Sequence, residues 1–369
     1  MYQSDACRKA DVICEPSAKK AAKEGHIKKY GTQTARPVIS YPGSKGRIAK
    51  QITGVLNQFK GVENYIEPFV GSASVFLAMD PANTKHARLS DFDPKLPNLY
   101  KDLKSGRMRN CRITVRSKEA YKRAFARAEK DGCALVNVSK SSFGGQIKPN
   151  AFAPSRLPSL DTLKIDFKGP EKRLNESHVE IATGSYQDAL RHIKNNTILY
   201  LDPPYIGTEE VYAAGKNTFD GRRFIDDIAT AYKAAKKTRK KLHVALSHSY
   251  APRLHSLIRA SGIPMSEVKM CRIRVTRTMG QSSKIASGGK KEHEWLVVMS
   301  PDVKKIDCDD VPMPTIQQDR TFGKCIVSKE YARAICGGKG HGSTLKRASQ
   351  RRKAFKKRAD LRVTLSKRK

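Results

Sequence analysis

Apolar residues along this chain recur with two different periods, and the periods take turns. Ile48, Ile52, Val55, Leu56 and Phe59 share one face at helical spacing. A short strand follows and ends at Glu67, then a loop of small residues, and from Ser74 onward the helical spacing resumes through Val75, Phe76 and Leu77. Ala87 to Ser90 reads as a second short strand that ends in Asp91. The polar turn at Asn195-Asn196 precedes Thr197 to Leu201, an uninterrupted β-branched and aliphatic run of the kind buried on both faces of a sheet. Ile225, Ile228, Tyr232 and Ala235 return to helical spacing, and Leu242 to Ser247 reads as another buried strand. Leu254, Leu257 and Ile258 mark a helix ending near Gly262, Val268 to Val275 alternates as a strand, and Trp295 to Met299 is a last one. Strands alternating with helices predict an α/β fold with a largely parallel sheet.

Three stretches break this pattern and set the expected domain boundaries. Residues 1–36 are polar and basic and predict a mobile or loosely helical arm. The sheet-forming pattern occupies 37–100 and 183–305, and 101–182 is an insertion between its two parts. In that insertion basic residues are dense and small polar clusters interrupt the periodicity, as in Ser139 to Gln146. Tyr121, Phe125 and Ala128 still share a helix face, but the remainder reads as loop-rich. Residues 280–291 read as a Gly/Ser/Lys loop, 306–369 are irregular and basic, and Gly337 to Gly342 reads as a linker. Twelve of the 27 residues in 343–369 are Lys or Arg, against one acid, a block that orders only on a polyanion.

Charge narrows the partner. Of 369 residues, 72 are Lys or Arg and 35 are Asp or Glu, a net charge of +37 that self-repels unless a polyanion offsets it. Nucleic acid is the natural counterpart, through phosphate contacts, and an acidic membrane surface is the alternative. A membrane span is excluded, because no run of about eighteen apolar residues exists, and no signal peptide is visible. The eight cysteines contain no CxxC pair, which predicts free thiols and a reducing compartment. Cys308, Cys325, Cys336 and His341 are spaced too irregularly for a known zinc pattern, so no metal is expected.

The candidate chemistry lies at strand ends. Asp202-Pro203-Pro204-Tyr205 follows the most buried predicted strand. Two consecutive prolines make a stiff, extended corner, with a carboxylate on one side and an aromatic ring on the other. Such a corner suits a flat, amine-bearing group, with acceptors for the amine and a ring for the plane; it reads equally as a strand-ending turn. The loop Tyr41-Pro42-Gly43-Ser44-Lys45-Gly46 precedes a helix but lacks the full phosphate-loop pattern, which argues against nucleoside triphosphates. Small residues at 71–74 allow a ligand close to the backbone at a helix start. Asp91 lies twenty residues beyond Gly71, about where an acid takes up ribose hydroxyls in a dinucleotide-type unit, and a helix N-cap at Asp91 or Asp93 explains it as well.

Taken in order, Tyr-Pro-Gly-Ser-Lys at 41–45, Glu-Pro-Phe-Val-Gly-Ser-Ala-Ser-Val-Phe-Leu at 67–77, Ser-Asp-Phe-Asp-Pro at 90–94, Gly-Ser-Tyr-Gln-Asp at 184–188 and Asp-Pro-Pro-Tyr at 202–205 resemble the Dam-type, α-ordered DNA adenine-N6 methyltransferases. The resemblance covers roughly 37–300, about seven-tenths of the chain. It implies a Rossmann-like, S-adenosylmethionine-dependent methyltransferase sheet with an inserted, loop-rich or helical target-recognition domain. It further implies methylation of the N6 amine of a flipped adenine in double-stranded DNA, by an enzyme expected to be a monomer in solution and associated with DNA in the cytoplasm of a bacterial or virus-infected cell. In that resemblance Tyr41, Lys45, Glu67, Phe69 and Gly71 lie along the cofactor, Asp91 holds its ribose, and Ser185 and Tyr186 line the cofactor or adenine pocket. Asp202 and the Pro203 carbonyl accept from the target amine, Pro204 stiffens the corner and Tyr205 stacks on the base. Lys140, Lys148 and Arg156, beside Phe143 and Phe152, are the expected DNA contacts. Two departures stand out: Ala73 occupies a position where the family has glycine, and Ser44 stands in a Gly-Gly-Lys. A helix N-terminus suits alanine, so Ala73 is expected to be tolerated. The same chemistry fits another planar amine, in cytosine-N4, RNA adenine or protein glutamine. A DNA-packaging protein with a decayed methylase fold is the alternative from a different class.

Overall fold

A computed structural model of the chain describes residues 35–205, 219–249, 252–275, 292–309, 316–318 and 325–327. The expected N-terminal arm up to residue 34, the loop at 280–291, the glycine linker and the basic tail lie outside the described residues. In chain order the elements are α1 (Ala49–Leu56), β1 (Asn64–Glu67), α2 (Ser74–Ala78), β2 (His86–Asp91) and α3 (Lys95–Lys104). Then come α4 (Lys118–Arg127), α5 (Gly132–Ser141), α6 (Leu157–Asp161), α7 (Lys168–Asn175), β3 (His178–Thr183), α8 (Tyr186–Leu190) and β4 (Thr197–Leu201). The sheet-forming part closes with α9 (Gly221–Lys237), β5 (Leu242–Ser249), α10 (Pro252–Ala260), β6 (Val268–Val275) and β7 (Glu292–Met299). Two further strands, β8 (Ile316–Gln318) and β9 (Cys325–Val327), pair antiparallel with each other and belong to a separate unit.

The main sheet has seven strands in the order β3-β2-β1-β4-β5-β7-β6. β1 to β5 are parallel along their pairings, and β7 runs antiparallel to both β5 and β6. The order reverses between β1 and β4, so the carboxyl ends of these two strands open on the crevice where α/β sheets bind ligands. β4 forms the centre because its sequence allows nothing else. All five of its residues are buried, and Ile198, Leu199, Tyr200 and Leu201 are each at most 1% exposed. Burying each such side chain is worth about 1.5–3 kcal/mol. The run then stops at Pro203, which has no N–H to continue a ladder. α9 covers the sheet with Phe224, Ile225, Ile228, Ala229, Tyr232 and Ala235, the stripe its spacing predicts, and Asp220 caps its start by accepting from the N–H groups of Arg222 and Arg223.

The sequence reading needs correction at three places. The insertion is more helical than loop-rich, carrying α4 to α7. α5 escaped because Gly132 to Ser141 is rich in β-branched and serine residues and buried on most sides, which leaves no amphipathic stripe. β3 also escaped. It is an edge strand with exposed His178, Glu180 and Thr183, so it lacks a clean apolar alternation, yet it pairs with β2 from His86 to Asp91. Finally, four of the cysteines are not free thiols: Cys111 is bonded to Cys133, and Cys271 to Cys308. These partners are 22 and 37 residues apart, and only the packing of the chain brings their Cα atoms to 5.5 and 5.6 Å. Cys308 is thereby removed from the zinc set considered above, and cysteine usage no longer argues for a reducing compartment. Among the described residues no helix is long and apolar enough to cross a membrane.

Candidate active site

A cavity of ≈ 610 Å³ opens at the carboxyl ends of β1 and β4. Tyr41, Lys45, Glu67, Phe69, Gly71, Asp91, Ser185, Tyr186, Asp202, Pro203, Pro204 and Tyr205 all line it. Five stretches that lie far apart in sequence therefore meet at one site, and each is held by local chemistry.

The Ser40–Lys45 loop is closed by a turn in which Ser44 N–H donates to the Tyr41 carbonyl at 3.0 Å. Behind it, Ser44, Ser72 and Ser74 form a triangle of hydroxyls, 2.7 to 3.0 Å apart. The loop after β1 is drawn tight: Val70 N–H donates to the Ser90 carbonyl, and the Tyr100 hydroxyl donates to the Gly71 carbonyl at 2.6 Å. Gly71 has φ +46°, a backbone conformation that favours glycine, and a Cβ there would make an ordinary contact with the Tyr41 ring at 3.4 Å. Ala73 also has positive φ, at 55°, with its side chain fully buried. The expectation of ordinary helix N-terminal geometry at this position is overturned. The methyl sits in the left-handed region, at a cost of roughly 1–2 kcal/mol to a residue other than glycine.

Asp91 ends β2. Its Oδ2 accepts from Gly71 N–H at 3.0 Å and its Oδ1 from Asp93 N–H at 3.1 Å. Its role as a simple cap does not apply, because Asp93 is the residue that accepts from Lys95 N–H at the start of α3. Burial pushes the Asp91 carboxyl up to about 6 against those two N–H groups. Glu67, at the end of β1, accepts from the Tyr65 hydroxyl at 2.8 Å. Burial pushes it up to about 8 in spite of that bond, with the Asp202 charge adding to the shift.

On the opposite wall, Ser185 and Asp188 form a reciprocal capping box at the start of α8. The Ser185 hydroxyl is thus engaged locally. Tyr186 donates its hydroxyl to Asp227 at 2.8 Å and turns its ring to Phe69, with centroids 5.8 Å apart and stacked. Phe224 and Phe219 complete an aromatic wall. Phe219, Asp220 and Arg223 line the cavity and were not singled out from sequence, since one aromatic and a helix cap carry no chemical signature.

The Asp202 corner holds the densest electrostatics. Lys45 Nζ lies 2.7 and 2.8 Å from the two Asp202 oxygens, 3.2 Å from Glu294 Oε1 and 3.0 Å from the Gly43 carbonyl. The Tyr205 hydroxyl donates to Glu294 at 2.7 Å, and the Lys45 ammonium lies 5.4 Å from the Tyr205 ring centroid. Lys45 is 5% exposed, Asp202 19% and Glu294 14%, so this cluster is a shielded one. Burial pushes the Lys45 ammonium down, but Asp202 and Glu294 together outweigh it and hold its pKa above the ordinary lysine range. Burial pushes Asp202 up to about 6; Lys45 opposes the shift and Glu294 adds to it. Glu294 was invisible to sequence reasoning. It is one of two acids in the β7 run, and only the β5–β7 pairing carries it to the Asp202 corner.

The three basic residues expected to touch DNA do not line the cavity. Lys148 and Arg156 are exposed, and Lys140 is half-buried on α5, where burial, with Arg156 nearby, pushes its ammonium down to about 8. α5 is clamped to the cavity loop. Ser40 N–H donates to the Ser139 hydroxyl at 2.8 Å, and that hydroxyl donates back to the Ser40 carbonyl at 2.6 Å. Gly145 packs so closely on Ser40 that a Cβ would come to 2.7 Å of its carbonyl. The neighbouring Phe143 is 52% exposed.

Comparison with known proteins agrees with this geometry. The model of the D12 class N6 adenine-specific DNA methyltransferases matches residues 41–133 and 161–261, more than half of the chain. A type II methyltransferase, M1.LlaDCHI, from Lactococcus lactis subsp. cremoris is 21% identical over 277 residues, covering 69% of this chain and 92% of the relative. A DNA adenine methylase from Vibrio cholerae serotype O1 is 25% identical over 285 residues, covering 72% and 96%. With its seven-stranded sheet, its cavity at the β1–β4 reversal and this match, the chain belongs to the D12 class of N6 adenine-specific DNA methyltransferases.

Proposed function

We propose that the chain is a site-specific enzyme of duplex DNA, which takes a methyl group from S-adenosylmethionine and places it on the N6 amine of an adenine turned out of the helix. One observation carries the reading: the Asp202-Pro203-Pro204-Tyr205 corner opens on the same cavity as Gly71 and Asp91. An amine acceptor and a nucleoside-type cradle thus face one space.

The lining fits the cofactor. Gly71 gives a cradle that a Cβ would narrow against Tyr41. Asp91 offers ribose hydroxyls the remaining lone pairs of its two oxygens, and Phe69, Tyr186 and Phe219 offer a wall for a flat base. Asp91, Asp202 and Asp220 outnumber Lys45 and Arg223 along the wall, a bias suited to a cationic sulfonium, while Glu67 keeps its proton. When bound, S-adenosylmethionine supplies an electrophilic methyl group.

The chain's own residues do the rest. An aromatic amine is a weak nucleophile because its lone pair is delocalised into the ring. The Asp202 carboxylate and the Pro203 carbonyl accept its two N–H bonds, favour a pyramidal nitrogen and aim the lone pair. Leaving the DNA stack costs the base about a few kcal/mol, and stacking on Tyr205 returns about 1–3 kcal/mol. Lys140, Lys148, Arg156 and the exposed Phe143 form the DNA-facing side of the insertion. All four lie between the two ranges of the family match, 41–133 and 161–261.

The test is incubation of the protein with methyl-labelled S-adenosylmethionine and unmethylated duplex DNA, beside Asp202→Ala. Label recovered in N6-methyladenine, lost in the variant while DNA binding persists, supports the proposal. Label in cytosine instead, or in RNA or protein glutamine when these are supplied in parallel incubations, would move the reaction to that amine. No label with DNA binding intact refutes the enzyme reading.

A further inference from the structure

We infer that Glu294 is a positioning residue for methyl transfer: it fixes Tyr205 and retains Lys45, so that Asp202 is released to the target amine within a cluster that keeps one net negative charge. The inference rests on the function proposed above and assigns a role to a β7 residue outside the motifs that define the site.

The geometry is specific. Glu294 accepts from the Tyr205 hydroxyl at 2.7 Å and lies 3.2 Å from Lys45 Nζ. Lys45 Nζ in turn occupies both Asp202 oxygens, at 2.7 and 2.8 Å. An amine that is to donate to Asp202 must compete with this ammonium. A lone Lys–Asp pair in a shielded site would resist, because parting it strands two charges. Glu294 changes that balance. As Lys45 shifts away from Asp202 it keeps a carboxylate partner already in contact, so neither charge is abandoned.

Charge counting leads the same way. Asp202, Lys45 and Glu294 together carry one negative charge. During transfer the amine nitrogen gains positive character until it releases a proton, and a net negative cluster beside it stabilises that change. Without the Glu294 charge the cluster is neutral. The hydroxyl bond to Tyr205 is a separate contribution, since it sets the ring on which the base stacks.

Glu294→Gln separates these contributions, because an amide oxygen still accepts from Tyr205. Activity is measured with labelled cofactor and unmethylated duplex DNA, alongside the wild type and Asp202→Ala. Those two controls test the proposed function on their own, so inactivity of the wild type counts against that reading and not against Glu294. The expected result for Glu294→Gln is a kcat lowered by about tenfold or more with the KM for DNA within about twofold, the pattern of a group that acts in the transition state. Glu294→Asp, which keeps the charge, recovers part of the loss. The pH profile gives a second readout. Asp202 is faced by Lys45 and Glu294, with Tyr200, Tyr205 and Glu67 nearby. Glu294 raises the Asp202 pKa, so removing its charge moves the acid limb of kcat/KM to lower pH. An unchanged kcat overturns the inference. So does a loss of activity with an unmoved acid limb and no recovery in Glu294→Asp, which would mark Glu294 as merely structural.

Discussion

Replacing Lys45 by methionine removes the cation that Asp202 and Glu294 share while keeping a similar side-chain length. Nζ contacts Asp202 at 2.7 Å and Glu294 at 3.2 Å with the lysine 5% exposed, so the variant leaves two shielded carboxylates facing each other. Breaking such a pair by removing one partner costs about 3–5 kcal/mol. Asp202 has an escape, which is to take a proton. Lys45 holds its carboxyl down, so without Lys45 it titrates above its present value of about 6. The folded variant then keeps this proton to higher pH than the unfolded chain, whose aspartates titrate at about 4. Stability of the variant is therefore lost progressively as pH rises through the window from about 4 to the raised folded value. For a domain of this size each kcal/mol moves the melting temperature by about 2–4 °C. Thermal melts should show Lys45→Met about 6 °C or more below the wild type at pH 8, with the gap narrowing by several degrees at pH 5.5. The acid limb of methyl transfer should move to higher pH in the same variant. A gap under about 2 °C at pH 8, or one that does not change with pH, would refute the view that Lys45 is there to hold these carboxylates.

Further outcomes follow from other parts of the chain. Glu67, buried and pushed up to about 8, keeps its proton in the fold at pH values where the unfolded chain has released it. Stability of the ligand-free protein should therefore fall by about 2 kcal/mol between pH 6.5 and 8, and Glu67→Gln should flatten this dependence in denaturant titrations. Ala73→Gly relieves a left-handed residue, worth about 1–2 kcal/mol, and deletes one buried methyl, worth about 0.8 kcal/mol. A net change within about 1 kcal/mol on the stabilising side is expected by urea unfolding, and a loss above about 2 kcal/mol would show that packing outweighs strain here. Deleting residues 343–369, with their twelve basic side chains, should weaken DNA binding at all sequences alike and flatten the dependence of log K on log salt. An altered site preference would assign the tail to sequence readout instead.

What the amino-acid sequence determined by itself was local. Thr197 to Leu201 is apolar without interruption, and only a strand buried on both faces can use such a run; Pro203 ends it by lacking a donor. The helix of Ile225 to Ala235 and the alternation of Val268 to Val275 were legible for the same reason, since each period is read within a few turns or pleats of chain. The motifs at 67–77, 90–94 and 202–205 stood at strand ends, where a doubly wound sheet gathers its ligand contacts, and the loop at 41–45 stood before a helix, so the line of the site could be anticipated. The rest depended on contacts between segments far apart in sequence. β3 is an exposed edge strand whose place is set by pairing with β2, and α5 is so fully buried that it shows no polar face. The two disulfides join cysteines that nothing but packing brings together. Ala73 looks like an ordinary helix start until the tight turn after β1 gives it positive φ. Above all, the partner of Lys45 was decided by the sheet. β7 turns antiparallel beside β5 and delivers Glu294 to the Asp202 corner, 249 residues after Lys45, a pairing of charges that no local pattern encodes.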